Sequence, residues 1–337
     1  MARKIRHKFG TDPEAFIYKE LVNTEFGQIP IIIPPAALIV DHNYPMKMVE
    51  DKKVLFSGDG FQWSEDGAAI EMQIKPQTSI DGFFNQVSTG IKSLQDHLND
   101  TSGFGLWVNP IGFFDTEKYW KNRGEDFRMC VIFGCDPDQF PNKYVEVGLE
   151  DSVEIEEIDV SNHSYRYCGA HIHIQAPKSS PTIFFKNWED CATIFDFFAG
   201  MLNTTFVRNK QIIIAERARL MHYGKPGRIR LQTYNPEDKE YGIEYRVMSN
   251  SWLEDKKKTR KLLYTLDLAS QIVEKDFAEK FLADFDGTIP DMYNALVNFD
   301  QQSSEDIFEE VLGWSVLNGL LTTEDLFLFI DTKRRLY

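Results

Sequence analysis

The chain has 337 residues, 42% hydrophobic and 26% charged, which is enough for one large domain with a smaller appendage. Its formal net charge of −15 argues against a nucleic-acid-binding surface, since phosphate backbones are met with dense Lys and Arg. No apolar run reaches the roughly 18 residues of a membrane span, and Met1-Ala2-Arg3-Lys4-Ile5-Arg6 is not followed by the apolar stretch of a secretory signal, so a cytoplasmic protein is expected.

The cysteines Cys130, Cys135, Cys168 and Cys191 contain no Cys-x-x-Cys pair, so they read as reduced core thiols and not as a zinc or disulfide framework. Charge is unevenly spread. Acidic residues crowd 146–159, whereas arginines gather at Arg208, Arg217, Arg219, Arg228, Arg230 and Arg246. A cationic cluster in an acidic protein suits an anionic ligand or an acidic surface, although surface salt bridging would also use it.

In chain order, the first signal is Asp12-Pro13-Glu14. In extended backbone these carboxylates share a face roughly 6 to 7 Å apart, a spacing that suits neighbouring metals, while Asp-Pro also commonly starts a turn. Ala69-Ile70-Glu71-Met72-Gln73-Ile74-Lys75 alternates with period two and puts Glu71, Gln73 and Lys75 on one side. Ile80, Phe83, Phe84, Val87, Ile91 and Leu94 have helical spacing after the capping Ser79. Gly134-Cys135-Asp136-Pro137-Asp138-Gln139-Phe140 faintly echoes Gly10-Thr11-Asp12-Pro13-Glu14-Ala15-Phe16, too little to establish a duplication.

Gly169-Ala170-His171-Ile172-His173-Ile174-Gln175 is again a strand, with both histidines on one face. Trp188, Ala192, Phe195 and Ala199 predict a covering helix after Asn187. Arg228-Ile229-Arg230-Leu231-Gln232 and Ile243-Glu244-Tyr245-Arg246-Val247 complete a set of strands carrying ionisable side chains on one face, as a lined cavity would. After Trp252 a Lys-rich turn at 254–261 leads into helical runs from Leu262, at 292–299 and at 307–321, with a cap signal at 322–325. The expected division is 1–252 for the sheet domain and 253–337 for a helical appendage, whose apolar helices offer a contact for self-association.

Neither a P-loop nor a Gly-x-Gly-x-x-Gly motif occurs, so any nucleotide must be held by divalent metals on carboxylates and by arginines. Asp12, Glu14, Glu71, His171, His173 and Glu244 are the candidate metal ligands. His171-Ile172-His173 suits a metal shared by two imidazoles or divided between metal and substrate. In Glu244-Tyr245-Arg246 the glutamate would hold a metal while the guanidinium reaches the phosphate it carries; as a structural pair the two would neutralise each other.

Taken in order, Asp12-x-Glu14, Glu71, His171-x-His173 and Glu244-x-Arg246 resemble the metal and phosphate constellation of the glutamine synthetase / glutamate-cysteine ligase superfamily. The wording Gly-Thr-Asp-Pro-Glu-Ala-Phe, Glu-Asp-Gly-Ala-Ala-Ile-Glu, Gly-Cys-Asp-Pro-Asp, Gly-Ala-His-Ile-His-Ile and Tyr-Gly-Ile-Glu-Tyr-Arg-Val is similar to the phage-type carboxylate-amine ligase type 2, or amidoligase, family, over about residues 8–252. The resemblance implies an α+β fold with a curved, mainly antiparallel sheet forming a funnel, covered by helices. ATP with Mg²⁺ or Mn²⁺ would enter one end, and small-molecule or peptide carboxylate and amine substrates the other. It implies metal ligation by Asp12, Glu14, Glu71, Glu244 and one or both of His171 and His173, and contact of Arg246 with the transferring phosphate. A phage-encoded chain would work in the host cytoplasm. The first carboxylate is Asp12, where better-known members carry Glu.

Arg228, Arg230, Arg246 and Lys75 are then the nucleotide-binding candidates, with Arg246 catalytic, and Arg217 and Arg219 are candidates for the substrate carboxylate. The expected reaction is ATP-dependent amide formation through an acyl-phosphate, because phosphoryl transfer chiefly demands positioning and charge neutralisation. Rival readings are a guanidino kinase-like phosphotransferase on the same fold, a catalytically silent assembly protein with a structural metal, and a metal-dependent hydrolase suggested by His-x-His alone.

Overall fold

A computed structural model describes residues 5–49, 52–121, 123, 127, 139–149, 163–326, 328 and 329. Cys130, Cys135, most of the Gly134 heptad and the acidic run beyond residue 149 lie outside the described residues.

The fold is α+β, built on a large, open, mainly antiparallel sheet of strands β1 (Lys8–Thr24), β2 (Gly27–Ile32), β3 (Lys47–Val49), β4 (Lys52–Gly58), β5 (Phe61–Asp66), β6 (Ala69–Ile74), β7 (Gly105–Trp107), β8 (Ile111–Phe113), β9 (Tyr165–Tyr167), β10 (Ala170–Gln175), β11 (Ile229–Asn235) and β12 (Glu240–Tyr245). The main path runs β11-β12-β10-β1-β6-β5-β4-β3. Among the described pairings only β2 with β8 is parallel. Asp12-Pro13-Glu14 lies inside β1, so the extended reading holds and the turn does not. Its first half pairs with β10, Glu14 and Ala15 pair with β6, and its second half turns to β7 and β2. One long strand thereby gathers the chemistry of its neighbours around a single stretch.

The helices are α1 (Pro35–His42), α2 (Ile80–Ser102), α3 (Asn142–Glu146), α4 (Ile183–Lys186), α5 (Trp188–Phe195), α6 (Met201–Phe206), α7 (Lys210–His222), α8 (Lys256–Glu274), α9 (Ala278–Asp284), α10 (Ile289–Val297), α11 (Gln301–Leu317) and α12 (Thr323–Leu326). Ser79 caps α2 by accepting from Gly82 N at 2.9 Å. Phe83, Val87, Leu94 and Leu98 bury one face of that helix, and a Cβ at Gly90 would meet Met72 Sδ at 2.4 Å, so glycine lets α2 press onto β6. The helix expected after Asn187 is interrupted by a π-helical turn, Asp196–Gly200, between α5 and α6.

The lysines expected as a turn before Leu262 lie instead in the first turn of α8, where Asp255 caps by accepting from Lys258 N at 2.8 Å. From Leu262 to Val273 every residue of α8 is buried, which makes it a central helix of the reverse layer. Ile70, Met72, Ile172, Ile174, Ile243 and Tyr245 line the apolar side of the sheet and share one core with Leu262, Leu266, Ala269, Phe195 and Val311. That core runs continuously across position 252/253, where the division between sheet domain and appendage was expected. The N-terminal approach to β1 is tied to the same helix. His7 bridges Asp267 Oδ1 at 2.9 Å and Glu274 Oε1 at 2.7 Å, and Arg6 N and His7 N both donate to Asp267. No helix among the described residues is long and apolar enough to cross a membrane.

Candidate active site

Alternation along six neighbouring strands sends apolar side chains to the helical layer and brings Asp12, Glu14, Ser64, Asp66, Glu71, His171, His173, Arg230, Gln232, Glu244 and Arg246 to the opposite face. Register then decides which of them meet. Asp12 lies opposite His171, His173 opposite Glu244, Glu244 opposite Arg230, and Glu14 opposite Glu71, which in turn lies opposite Ser64.

The first group centres on Asp12, His173 and Glu244, whose candidate ligand atoms all lie within 4.8 Å of one another. His173 Nε2 is 2.9 Å from Asp12 Oδ2. Arg246 Nη1 donates to Glu244 Oε1 and Gln232 Nε2 to Glu244 Oε2, with Arg230 Nη1 at 3.6 Å from Oε2. Burial opposes charge on Asp12, yet His173 and His171 hold its carboxyl well below the usual range. Burial and Asp12 together oppose charge on Glu244, and His171, Arg246 and His173 outweigh them, keeping it low. Burial also works against a charged His173, but Asp12, then Glu244 and Glu71, lift it to about 9.

Glu14, Glu71 and Asp66 make the second group. Glu14 accepts from Gly169 N and from the Tyr223 hydroxyl, both at 2.7 Å. Glu71 receives Gln73 Nε2 at 3.2 Å and has Lys52 Nζ at 3.7 Å. Burial, reinforced by Asp66 and Glu71, drives Glu14 well above the carboxylate range. Burial, Asp12 and Asp66 push Glu71 up to about 8. Asp66 is raised as well, first by burial and then by Asp12 against the relief of His171.

His171 joins the groups and is fully buried. Tyr223 has one hydroxyl proton, lies 2.7 Å from Glu14 Oε1 and 2.7 Å from His171 Nε2, and so, when it donates to Glu14, accepts from Nε2–H. That tautomer leaves a lone pair on Nδ1, 3.4 Å from Asp12 Oδ1 and 3.3 Å from Glu244 Oε1. Both Asp12 Oδ1 and His171 Nδ1 are buried without a hydrogen-bond partner among the described residues. A lone pair facing two carboxylate oxygens is repulsive, and either a proton on Nδ1 or a cation among the three groups relieves it. Asp12, Glu244 and His173 are placed to hold a divalent ion, the two carboxylates suiting Mg²⁺ or Mn²⁺ and the imidazole being the donor that Zn²⁺ also favours.

The remaining expected residues are placed less uniformly. Arg228 lies just before β11, its guanidinium 5.2 Å from the Phe140 ring centre and its carbonyl accepting from Arg246 N at 3.1 Å. Lys75 falls one position past β6, is exposed and makes no ion pair among the described residues. Arg217 and Arg219 lie on α7, where two positions are about 200° apart and share no face. Arg217 is exposed and donates to Asn298 O at 2.6 Å. Arg219 is buried, pairs with Glu216 at 2.9 Å and donates to Val247 O at 2.8 Å and Tyr223 O at 3.3 Å. Its guanidinium holds the backbone beside the site through these contacts.

Asp66, Lys52, Tyr223, Gln232 and Tyr234 were not among the expected site residues. Tyr234 Oη stands 3.4 Å from His173 Nδ1. Asp66 had a signal, since Gln62, Ser64 and Asp66 continue the alternation of the strand before Gly67, and Gln232 shares the parity of Arg230. Tyr223, just past the end of α7, had none.

Neither the known protein families nor the curated proteins contain a match to the chain. Among solved structures it is similar to a bifunctional glutathione synthetase from Pasteurella multocida, with 8% identity and a TM-score of 0.37 over 91% of this chain and 49% of that one. The chain spans about half the length of that protein.

Proposed function

We propose that the protein is an ATP- and Mg²⁺- or Mn²⁺-dependent ligase that joins a carboxylate to an amine through an acyl-phosphate, of the amidoligase kind within the glutamine synthetase / glutamate-cysteine ligase superfamily. The observation that carries the reading is the joint placement of Asp12, His173 and Glu244 within 4.8 Å, beside a guanidinium that shares the same glutamate.

A free carboxylate is a poor acylating agent because its leaving group would be oxide. Phosphorylation replaces that group by phosphate, and the amine then attacks. Divalent ions, held by Asp12, Glu244, His173 and His171 and by the Glu14–Glu71 side, would neutralise the phosphates of ATP. Arg246 and Arg230, already against Glu244, supply planar donors to charge developing on the phosphoryl oxygens, and Arg228 approaches from the start of the next strand. Tyr223 and Gly169 N fix Glu14 without using a charge. Asp66, which is not among the groups that would hold the ions and whose carboxyl is raised by burial, is suited to take the proton that the amine must lose. In this reading the helices that follow Trp252 among the described residues are the appendage that supports the catalytic sheet.

The test is a hydroxylamine trap with a panel of carboxylates, ATP and Mg²⁺. Hydroxamate with ADP and phosphate is the expected outcome. ADP release that depends on a guanidine and gives no hydroxamate would replace the ligase with a guanidino kinase.

A further inference from the structure

Behind the site, on the apolar side of β12, lies a buried carboxylate that the proposed chemistry does not use. Strand alternation sends Glu244 and Arg246 to the polar face and Tyr245 to the reverse, where its hydroxyl donates to Asp196 Oδ1 at 2.6 Å. Asp196 is fully buried in the π-helical turn between α5 and α6. Its other oxygen accepts from Tyr144 Oη at 2.6 Å and from Gly227 N at 2.5 Å. Gly227, at φ +81, directly precedes Arg228, and a Cβ there would meet the Tyr144 ring at 2.7 Å. One side chain therefore grips the residue beside Arg246 and the residue beside Arg228, on strands also joined by Arg246 N to Arg228 O.

No cation ion-pairs with Asp196 among the described residues, and burial raises its carboxyl to about 7. Desolvating it is costly, and an apolar side chain would pack without that cost, but would leave Tyr245, Tyr144 and Gly227 N without their acceptor. What the carboxylate adds is direction: three converging donors fix the strand pair more narrowly than packing does. The π turn contributes to the same fit, since it sets Gly200 where a Cβ would lie 2.8 Å from Tyr245 Oη.

We infer that Asp196 is a positioning residue for the site, setting through Tyr245 and Gly227 where Arg246, Glu244 and Arg228 stand on the opposite face. Its effect on turnover rests on the ligase reading; its effect on the Arg246 guanidinium does not. The experiment records the side-chain Nε–Hε resonance of Arg246, assigned by its loss in Arg246→Lys, together with melting temperature, kcat and KM for ATP. Asp196→Ala is expected to shift or broaden that resonance and to lower kcat roughly 10 to 100-fold with little change in KM. Asp196→Asn, which keeps an acceptor and a polar partner for Tyr245, restores most of both, and Tyr245→Phe falls between. Leu98→Ala, a cavity in α2, serves as the destabilised control and leaves the resonance in place. Should Asp196→Ala fail to fold, Tyr245→Phe decides. An Arg246 resonance unchanged by these variants, or moved equally by the control, overturns the inference. A wild-type protein that makes no hydroxamate would instead count against the ligase reading, with the resonance still deciding this one.

Discussion

The two sides of Asp12 differ in how their charge is balanced. Toward β10 and β12, Asp12 and Glu244 have His171, His173 and Arg246 around them and keep low pKa values. Toward β5 and β6, Glu14, Glu71 and Asp66 crowd together with Lys52 as their nearest cation at 3.7 Å from Glu71, and all are raised. The first side is held together by its own charges, and the second is short of positive charge. A surface that needs cations it does not own is one that divalent ions are suited to complete.

The contrast is broken most strongly at Arg246, the cation of the balanced side. Arg246→Lys keeps the charge and loses the planar fork, so turnover should fall on the order of 10³-fold with ATP affinity little changed. If Arg246 only neutralises Glu244, the same preparation loses melting temperature and keeps near-normal ADP release.

Neutralising one carboxylate on each side should have opposite effects on the protein in chelator. Asp12→Asn removes the acceptor of His173 and the neighbour of His171, and should cost about 3 kcal/mol of stability along with Mn²⁺ binding. Glu71→Gln relieves repulsion, and should gain about 1 kcal/mol while still weakening Mn²⁺. Urea unfolding and Mn²⁺ titration of both variants check this; equal losses in the two would erase the distinction.

The parts of this arrangement that the sequence exposes are those set by strand period. Glu71, His171, His173, Glu244 and Arg246 declare a common face through their apolar neighbours, because a strand allows only two directions. Pairing is not exposed: nothing local says that Glu14 meets Glu71 while Asp12 meets His171, since register depends on strands that lie 57 and 159 residues away along the chain. Arg217 and Arg219 are expected together at one substrate carboxylate, and nothing in their immediate sequence announces that α7 turns them to opposite sides. Trp252 looked like a boundary because composition changes there; the buried residues of α8 that follow share one core with those of the sheet. Asp66 escaped because Asp-Gly reads first as a hairpin turn.

Away from the site, His7 repeats the balanced pattern with one imidazole between two carboxylates. Burial lowers its pKa and Asp267 with Glu274 more than reverse this, raising it to about 9. Folding therefore takes up a proton between pH 6.5 and 9, so the contribution is full below about pH 6.5 and is lost as pH rises through 9. Its size is roughly 3 kcal/mol. Denaturant unfolding across that range, steeper in pH for wild type than for His7→Gln, is the expected result; parallel curves would remove the clamp between β1 and α8 from the account.

The central claim is that the carboxylate itself is phosphorylated, and an oxygen-18 label tests it most directly. With a carboxylate from the panel that supports hydroxamate formation, labelled in both oxygens, the account predicts ADP and inorganic phosphate carrying the label. Unlabelled phosphate, or AMP and pyrophosphate, would contradict it.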